Sequence, residues 1–386
     1  MNPPLSRRAM LRGSVALAAL ALSHFPLARF GFADSEEGTL LPFLDPQPAD
    51  PKRPMLRWQD LEKWLTPTDD VFAVSHYGTA SVDADKWRLE VTGLVKKPRA
   101  LSLEEIKSRP RREVVATLEC SGNGSAPTFL GAVANARWAG TPLAPILKEC
   151  APLKRAIEVV FFGADEKEET IREKKYLQNF ARSLALGDAL SDEVLLAYEM
   201  DGTPLAKEHG APVRLVVPGW FGIAWVKWLS RIELLDRRYM NRFMARDYVT
   251  IRGEEKDGRT IWRETSVGPI DVKSIIARAV RLKDGTVRLT GAAWTDGTPL
   301  EKVEVRVDDG PWQGAELERQ PEKAPFGWTF FRYDWKDAKP GEHTVVSRAA
   351  DAEGRVQPAA EDQAIRLKRT YWEANQQYPR KLKVPG

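Results

Sequence analysis

Side chains that bind metals are scarce in this chain of 386 residues, which has two cysteines and four histidines. The cysteines are Cys120 and Cys150, the histidines His24, His76, His209 and His343, and no Cys-x-x-Cys or His-x-x-x-His spacing occurs. That argues against a zinc centre made by the protein alone. Cys-x-x-Cys-His is absent, so no c-type haem is expected, and Gly-x-Ser-x-Gly is absent as well. A single disulfide between Cys120 and Cys150 stays open on sequence grounds. Apolar runs are short: Gly13 to Leu22 cannot cross a bilayer with any margin, so no stable membrane insertion is expected. Charge of one sign is also lacking. The formal net charge of +4 is carried by Arg7, Arg8, Arg12 and Arg29, which share the first 33 residues with no acid. The remainder is neutral, which speaks against nucleic acid as a partner.

What those first residues do contain is an address. Ser6-Arg7-Arg8-Ala9-Met10-Leu11-Arg12 leads into the apolar stretch, and Gly31-Phe32-Ala33 offers a small-x-small cleavage site before Asp34. The pattern is that of an export signal, and the paired arginines resemble the twin-arginine type used by proteins exported already folded. A periplasmic location follows as an expectation. An ordinary secretory signal or an uncleaved anchor is the alternative.

The length suggests two folded units. Residues 34 to 70 begin with a proline-rich stretch and are expected to form an extended arm, with a helical turn at Leu61 to Leu65. Val71 to Gly78 is expected as a strand reaching a loop. Ser102 caps a short helix over Leu103 to Ile106. Val114 to Leu118 predicts a strand that ends in Glu119-Cys120-Ser121-Gly122-Asn123-Gly124, a turn where a thiol meets glycine's backbone freedom. Further strands are expected at Ala156 to Asp165, Val194 to Met200, His209 to Gly219 and Val226 to Leu229, with Glu166 to Lys175 as a solvated loop. Arg252 to Glu264 looks like a charged connector. Short alternating strands from Ile275 to Leu367 then predict an immunoglobulin-like sandwich. The basic, aromatic tail from Tyr371 to Lys383 suits packing on a neighbour.

Cys120 at a strand end is either a buried structural thiol, a nucleophile paired with His76 or His209, or a soft metal ligand. The polar residues at other strand ends, Asp165, Arg214 and Lys227, suit a bound anionic cofactor better than a peptide substrate. Leu118-Glu119-Cys120-Ser121-Gly122-Asn123, Ala136-Arg137-Trp138-Ala139-Gly140, Leu195 to Gly202, His209 to Arg214 and Val226 to Leu229 together resemble the sulfite oxidase family of molybdenum enzymes, in order and spacing. The resemblance implies an α+β fold: a mixed α+β molybdopterin-binding domain (71–268) followed by an all-β immunoglobulin-like domain (269–386) that forms homodimers. It implies Cys120 as the protein ligand of molybdenum carried by one molybdopterin, without haem. His76, Asp165, His209, Arg214 and Lys227 match positions that hold the pterin and its phosphate, and Tyr248 matches the active-site tyrosine.

Departures from the family pattern concern the substrate. Val74 stands where sulfite-oxidising members usually carry an arginine two residues before the histidine, and Gly124 and Ser125 stand where basic residues often follow the cysteine turn. Arg242, Arg246 or Arg252 could replace that charge. The expected activity is oxidation of a small reduced sulfur compound, by default sulfite, with oxygen from water and electrons passed to a c-type cytochrome or another external acceptor. A sulfane-sulfur dehydrogenase-like subunit is the alternative within the family. Outside it stand a non-catalytic binding protein and a cysteine hydrolase.

Overall fold

The structure is a computed structural model that describes residues 38–45 and 55–386. The export signal expected at 1–33, and most of the proline-rich stretch, lie outside the described residues. Strands dominate, and among the described residues the longest helix is Leu143–Glu149. The expected balance of helix and strand is therefore corrected toward β. The cause is that most apolar residues fall in short runs buried on both faces as strands, leaving helices only in short connections.

The first half is built on two sheets. In one, β2 (Arg88–Gly93) pairs with β3 (Arg99–Ser102) on one side and runs parallel to β11 (Leu229–Leu235) on the other; β11 continues to β6 (Glu158–Ile171) and β7 (Lys174–Ala185). In the other, β4 (Arg112–Glu119), β5 (Val133–Pro142), β8 (Leu195–Met200) and β10 (Arg214–Val216) follow in antiparallel order. Their facing sides fill one core, with Leu89, Val91, Phe161, Leu196 and Ile232 fully buried. The Ser102 cap forms as expected: its hydroxyl accepts from Glu105 N–H at 3.1 Å and Glu105 returns a bond of 2.7 Å.

The second half holds two more sheets that share their own core. One contains β14 (Lys273–Leu282), β15 (Val287–Trp294) and β19 (Thr329–Trp335), with β1 (Gly38–Leu40) added at its edge. The other contains β16 (Leu300–Val307), β20 (Gly341–Asp351) and β21 (Arg380–Val384). Ile276, Leu289 and Phe331 meet Val303, Val345 and Leu382 between them. A hairpin of β12 (Val249–Lys256) and β13 (Arg259–Ser266) joins the halves.

Four expectations change. Val71 to Gly78 has no strand; the stretch is loop, and its apolar residues Val71 and Phe72 are buried by packing rather than by pairing. The charged stretch at 166–175 is not a loop, because β6 and β7 continue there as an extended hairpin. The charged connector is likewise the β12–β13 hairpin. Both hairpins are solvated on two faces, so neither shows the one-sided alternation that marks a strand in sequence. Finally, the tail packs on its own chain: β21 pairs with β20, and Trp372 stacks on Tyr248 with ring centres 4.2 Å apart.

Tryptophans hold the halves together. Trp64 and Trp328 each donate the indole N–H to the other's carbonyl, at 2.9 and 2.8 Å, and Trp58 stacks on Trp294 at 5.9 Å. Trp328 is fully buried. Trp328→Ala is expected to destabilise the chain by about 3–5 kcal/mol in urea unfolding, from the cavity alone.

Candidate cofactor site

All seven residues singled out in the sequence, His76, Cys120, Asp165, His209, Arg214, Lys227 and Tyr248, line one cleft with about 660 Å³ of empty space including its mouth. They arrive there from separate elements. Cys120 follows β4, Asp165 lies within β6, Arg214 opens β10, and Tyr248 directly precedes β12. His76 comes from the loop after Phe72. Lys227 sits in a turn just before β11, not inside the expected strand. His209 ends the short turn Lys207–His209, and Gly210 follows with φ of 103°. A side chain at Gly210 would meet the Cβ of Lys227 at 2.9 Å, so glycine lets the two cofactor-facing stretches approach.

The cationic side of the cleft is dehydrated and short of counter-charge. Arg214 is buried; it donates to the carbonyls of His209 (3.0 Å) and Trp225 (3.1 Å), while its Nε finds no partner. Burial pushes its pKa down to about 9. Lys227 donates to the Glu208 carbonyl at 2.9 Å, and burial, with Arg214 adding to it, pushes it down to about 7. Burial lowers His209 to about 4 as well, so it is neutral. Asp165 is raised to about 6 by burial, and its Oδ1 is unpartnered. A cluster of this kind is stable only if an anion completes it.

On the other side, His76 Nε2 lies 2.6 Å from the Tyr248 hydroxyl, and its ring stacks on Phe180 at 5.3 Å. Burial pushes His76 down to about 4 and Tyr248 above its usual range. Cys120 and Cys150 are both free thiols. Burial raises the Cys120 thiol to about 11, against a lowering contribution from the Gly122 N–H. A cysteine hydrolase needs the reverse, a thiol depressed by a neighbouring base, and His76 has turned its nitrogen to Tyr248 instead.

The replacement arginines do not enter the cleft. Arg242 is bound to Glu169 and Asp247, and Arg252 pairs with Glu373 at 3.1 Å and Asp271 at 3.4 Å. Arg246 is not among the lining residues either. Val74 does line the cleft, whereas Gly124 and Ser125 do not; a Cβ at Gly124 would approach the Lys273 ammonium at 3.0 Å, behind the turn. Sequence reasoning missed that background. Glu119, fully buried, accepts from Lys273 Nζ at 2.7 Å, from Asn123 Nδ2 at 2.9 Å and from Trp294 Nε1 at 2.7 Å. Glu119 stood beside the cysteine in plain view, but nothing in sequence ties it to Lys273, 154 positions away.

One thiol, Cys120, and two desolvated cations, Arg214 and Lys227, thus line one cleft, an arrangement suited to an anionic ligand. Comparison with known proteins agrees. Residues 76–243 match the family profile "Oxidoreductase molybdopterin binding domain", and residues 264–373 match "Mo-co oxidoreductase dimerisation domain". Sulfite oxidase of Gallus gallus is 30% identical, over 77% of this chain and 69% of that protein. Mitochondrial sulfite oxidase of Rattus norvegicus is 31% identical over 77% of this chain. The chain spans 58% of the length of that rat relative. The crystal structure of the sulfane dehydrogenase SoxCD from Paracoccus pantotrophus superposes with a TM-score of 0.72 at 26% identity, covering 94% of this chain and 96% of that one. This chain belongs to the sulfite oxidase family, and its fold is of the sulfite oxidase type.

The donor set fits a phosphate-bearing pterin: the unpartnered Arg214 Nε and Lys227 suit the anion, and the orphaned Asp165 Oδ1 suits a ring N–H. Without a bound anion, Lys227 releases its proton in the folded chain well before the unfolded chain does. Stability should therefore rise with pH between about 7 and the ordinary lysine value of 10.5. Thermal unfolding of apoprotein across that window should show a rise that Lys227→Met flattens.

Proposed function

We propose that this chain is a molybdenum-dependent oxidoreductase that oxidises a reduced sulfur compound, by default sulfite to sulfate, using water and releasing two electrons and two protons. The observation that carries this reading is the single thiol, Cys120, in a cleft with desolvated, unpaired cations. Molybdenum with its molybdopterin, when bound, supplies the two-electron oxygen-transfer chemistry. The chain's own contribution is to bind and orient. Arg214 and Lys227 would hold the phosphate, His209, Asp165 and His76 would meet the pterin, and Cys120 would donate its sulfur, losing its proton on binding. Tyr248, hydrogen-bonded to His76, would offer its hydroxyl on the substrate side of the cleft. Phe180 and Phe243, packed on His76, keep water from that side.

The accompanying assignments belong to the same proposal. Residues 1–33 form a twin-arginine export signal that takes the folded protein to the periplasm. Residues 71–268 bind the cofactor, and 269–386 form an immunoglobulin-like unit through which the chain dimerises. The facing sheets of the second half and the dimerisation-domain match support that unit. The electrons leave to a separate acceptor such as a c-type cytochrome.

A second reading of the substrate, a sulfane sulfur, rests on Val74. That residue gives the mouth an apolar side chain, 38% exposed, where fixed positive charge would favour a small oxyanion. The likeness to the sulfane dehydrogenase along nearly all of both chains supports it.

Protein purified from the periplasm should contain one molybdenum and one pterin per chain by metal analysis and pterin fluorescence. Cys120→Ser should abolish sulfur oxidation, and Arg214→Gln should lower cofactor affinity by about 10–100-fold, as loss of a supporting contact does elsewhere. A Cys120→Ser protein that kept its metal and full turnover would sink the assignment. Cytochrome-coupled assays separate the substrates: tight saturation by sulfite favours the first, and turnover only with a sulfane donor favours the second.

A further inference from the structure

Behind the cysteine turn, three of its backbone carbonyls are satisfied from the second half of the chain. The Ser121 carbonyl accepts from Glu373 N–H at 2.7 Å, the Asn123 carbonyl from Lys273 Nζ at 2.9 Å and the Gly124 carbonyl from Gln376 Nε2 at 2.9 Å. Lys273 spends its remaining donors on Glu119, at 2.7 Å, and on the Ala374 carbonyl, at 2.7 Å. Asn123 is clamped further, its Oδ1 accepting from Ala132 N–H at 3.0 Å. Hydrogen bonds alone would serve to pin a turn. A full ion pair is an expensive way to do it, because apolar residues of similar volume are often as stable in its place. What a buried pair adds is charge at a fixed position, and Glu119 is the direct chain neighbour of Cys120.

We propose that Glu119 and Lys273 are a positioning pair for Cys120: they fix the turn and set the electrostatic potential at its sulfur, making the second half of the chain part of the metal site. The inference rests on Cys120 being the metal ligand. The two charges act oppositely. A carboxylate beside the ligand disfavours adding electrons to the metal, and the ammonium, 2.7 Å from that carboxylate, offsets it. Trp294 Nε1 withdraws charge from the carboxylate through its 2.7 Å bond to Oε2.

The test uses the loaded holoprotein and reads the midpoint potential of the metal by spectroelectrochemical titration, with metal and pterin content measured in parallel. Glu119→Gln keeps an amide oxygen for the neighbouring donors while removing the charge, and should raise the potential. Lys273→Gln should lower it, and the double variant should return toward the parent value. Trp294→Phe, which keeps the ring against Trp58, should lower the potential slightly and decides the matter if a charge variant fails to fold. Variants that melt at lower temperature yet keep the parent potential would reduce the pair to a structural clamp and overturn the proposal. A parent protein that lacks molybdenum and pterin would instead overturn the reading of Cys120 on which it rests.

Discussion

The cysteine turn is held from behind by a buried carboxylate of one half of the chain and a buried ammonium of the other. Glu119 lies at the end of β4, Lys273 at the start of β14, and each is the other's ion-pair partner at 2.7 Å inside the protein. Their pairing brings Trp294 and the segment around Glu373 against the turn, and that segment sets Trp372 against Tyr248. Removing one partner of such a pair costs about 3–5 kcal/mol, a large share of the stability of an ordinary domain. The site is thus not a pocket in one domain to which another has been attached. Its back wall is the junction.

The opposite wall works by leaving needs unmet. Arg214 and Lys227 are desolvated, Arg214 lowers the pKa of Lys227 further, and their contacts are carbonyls and aromatic faces: Arg214 sits 4.9 Å from the Trp138 ring and Lys227 4.3 Å from that of Trp228. Cation–π contacts recover about 0.5–2 kcal/mol, less than the cost of burying a charge. The difference is stored as affinity for an anion. One wall is closed by internal pairing and the other by its ligand, which accounts for a cleft rigid at Cys120 and receptive at Arg214.

Much of the cofactor side was legible because it depends on local rules. A strand that stops at Cys-Ser-Gly-Asn-Gly presents its thiol at an end, and Arg214, which opens β10, follows the same logic, whereas Asp165 lies inside a strand that runs on to Ile171. Gly124 confirms the turn with φ of 88°. The loop around His76 was misread as a strand since its apolar residues are buried, a fact that sequence alone cannot separate from pairing. The hairpins at 166–175 and 252–264 were misread for the converse reason: their backbone hydrogen bonds make them strands, while their side chains all meet water. Arg242 and Arg252, offered as substitute charges by nearness to Tyr248, are claimed by acids, Glu169 and Glu373 among them, that lie far off in the chain.

By itself the sequence determined what the site is made of: one thiol at a strand end, a few cations, and an order of short motifs that resembles the sulfite oxidase family. Those features are encoded within a few residues of each other, where strand ends and glycine turns act. The tertiary structure alone decided that Glu119 is matched by Lys273, that Tyr248 shares a hydrogen bond with His76, and that the tail closes on its own chain. These are contacts across 101 to 172 positions. Their partners are chosen by which strands become neighbours and by which buried charges would otherwise go unpaired, and neither leaves a periodic mark in the chain.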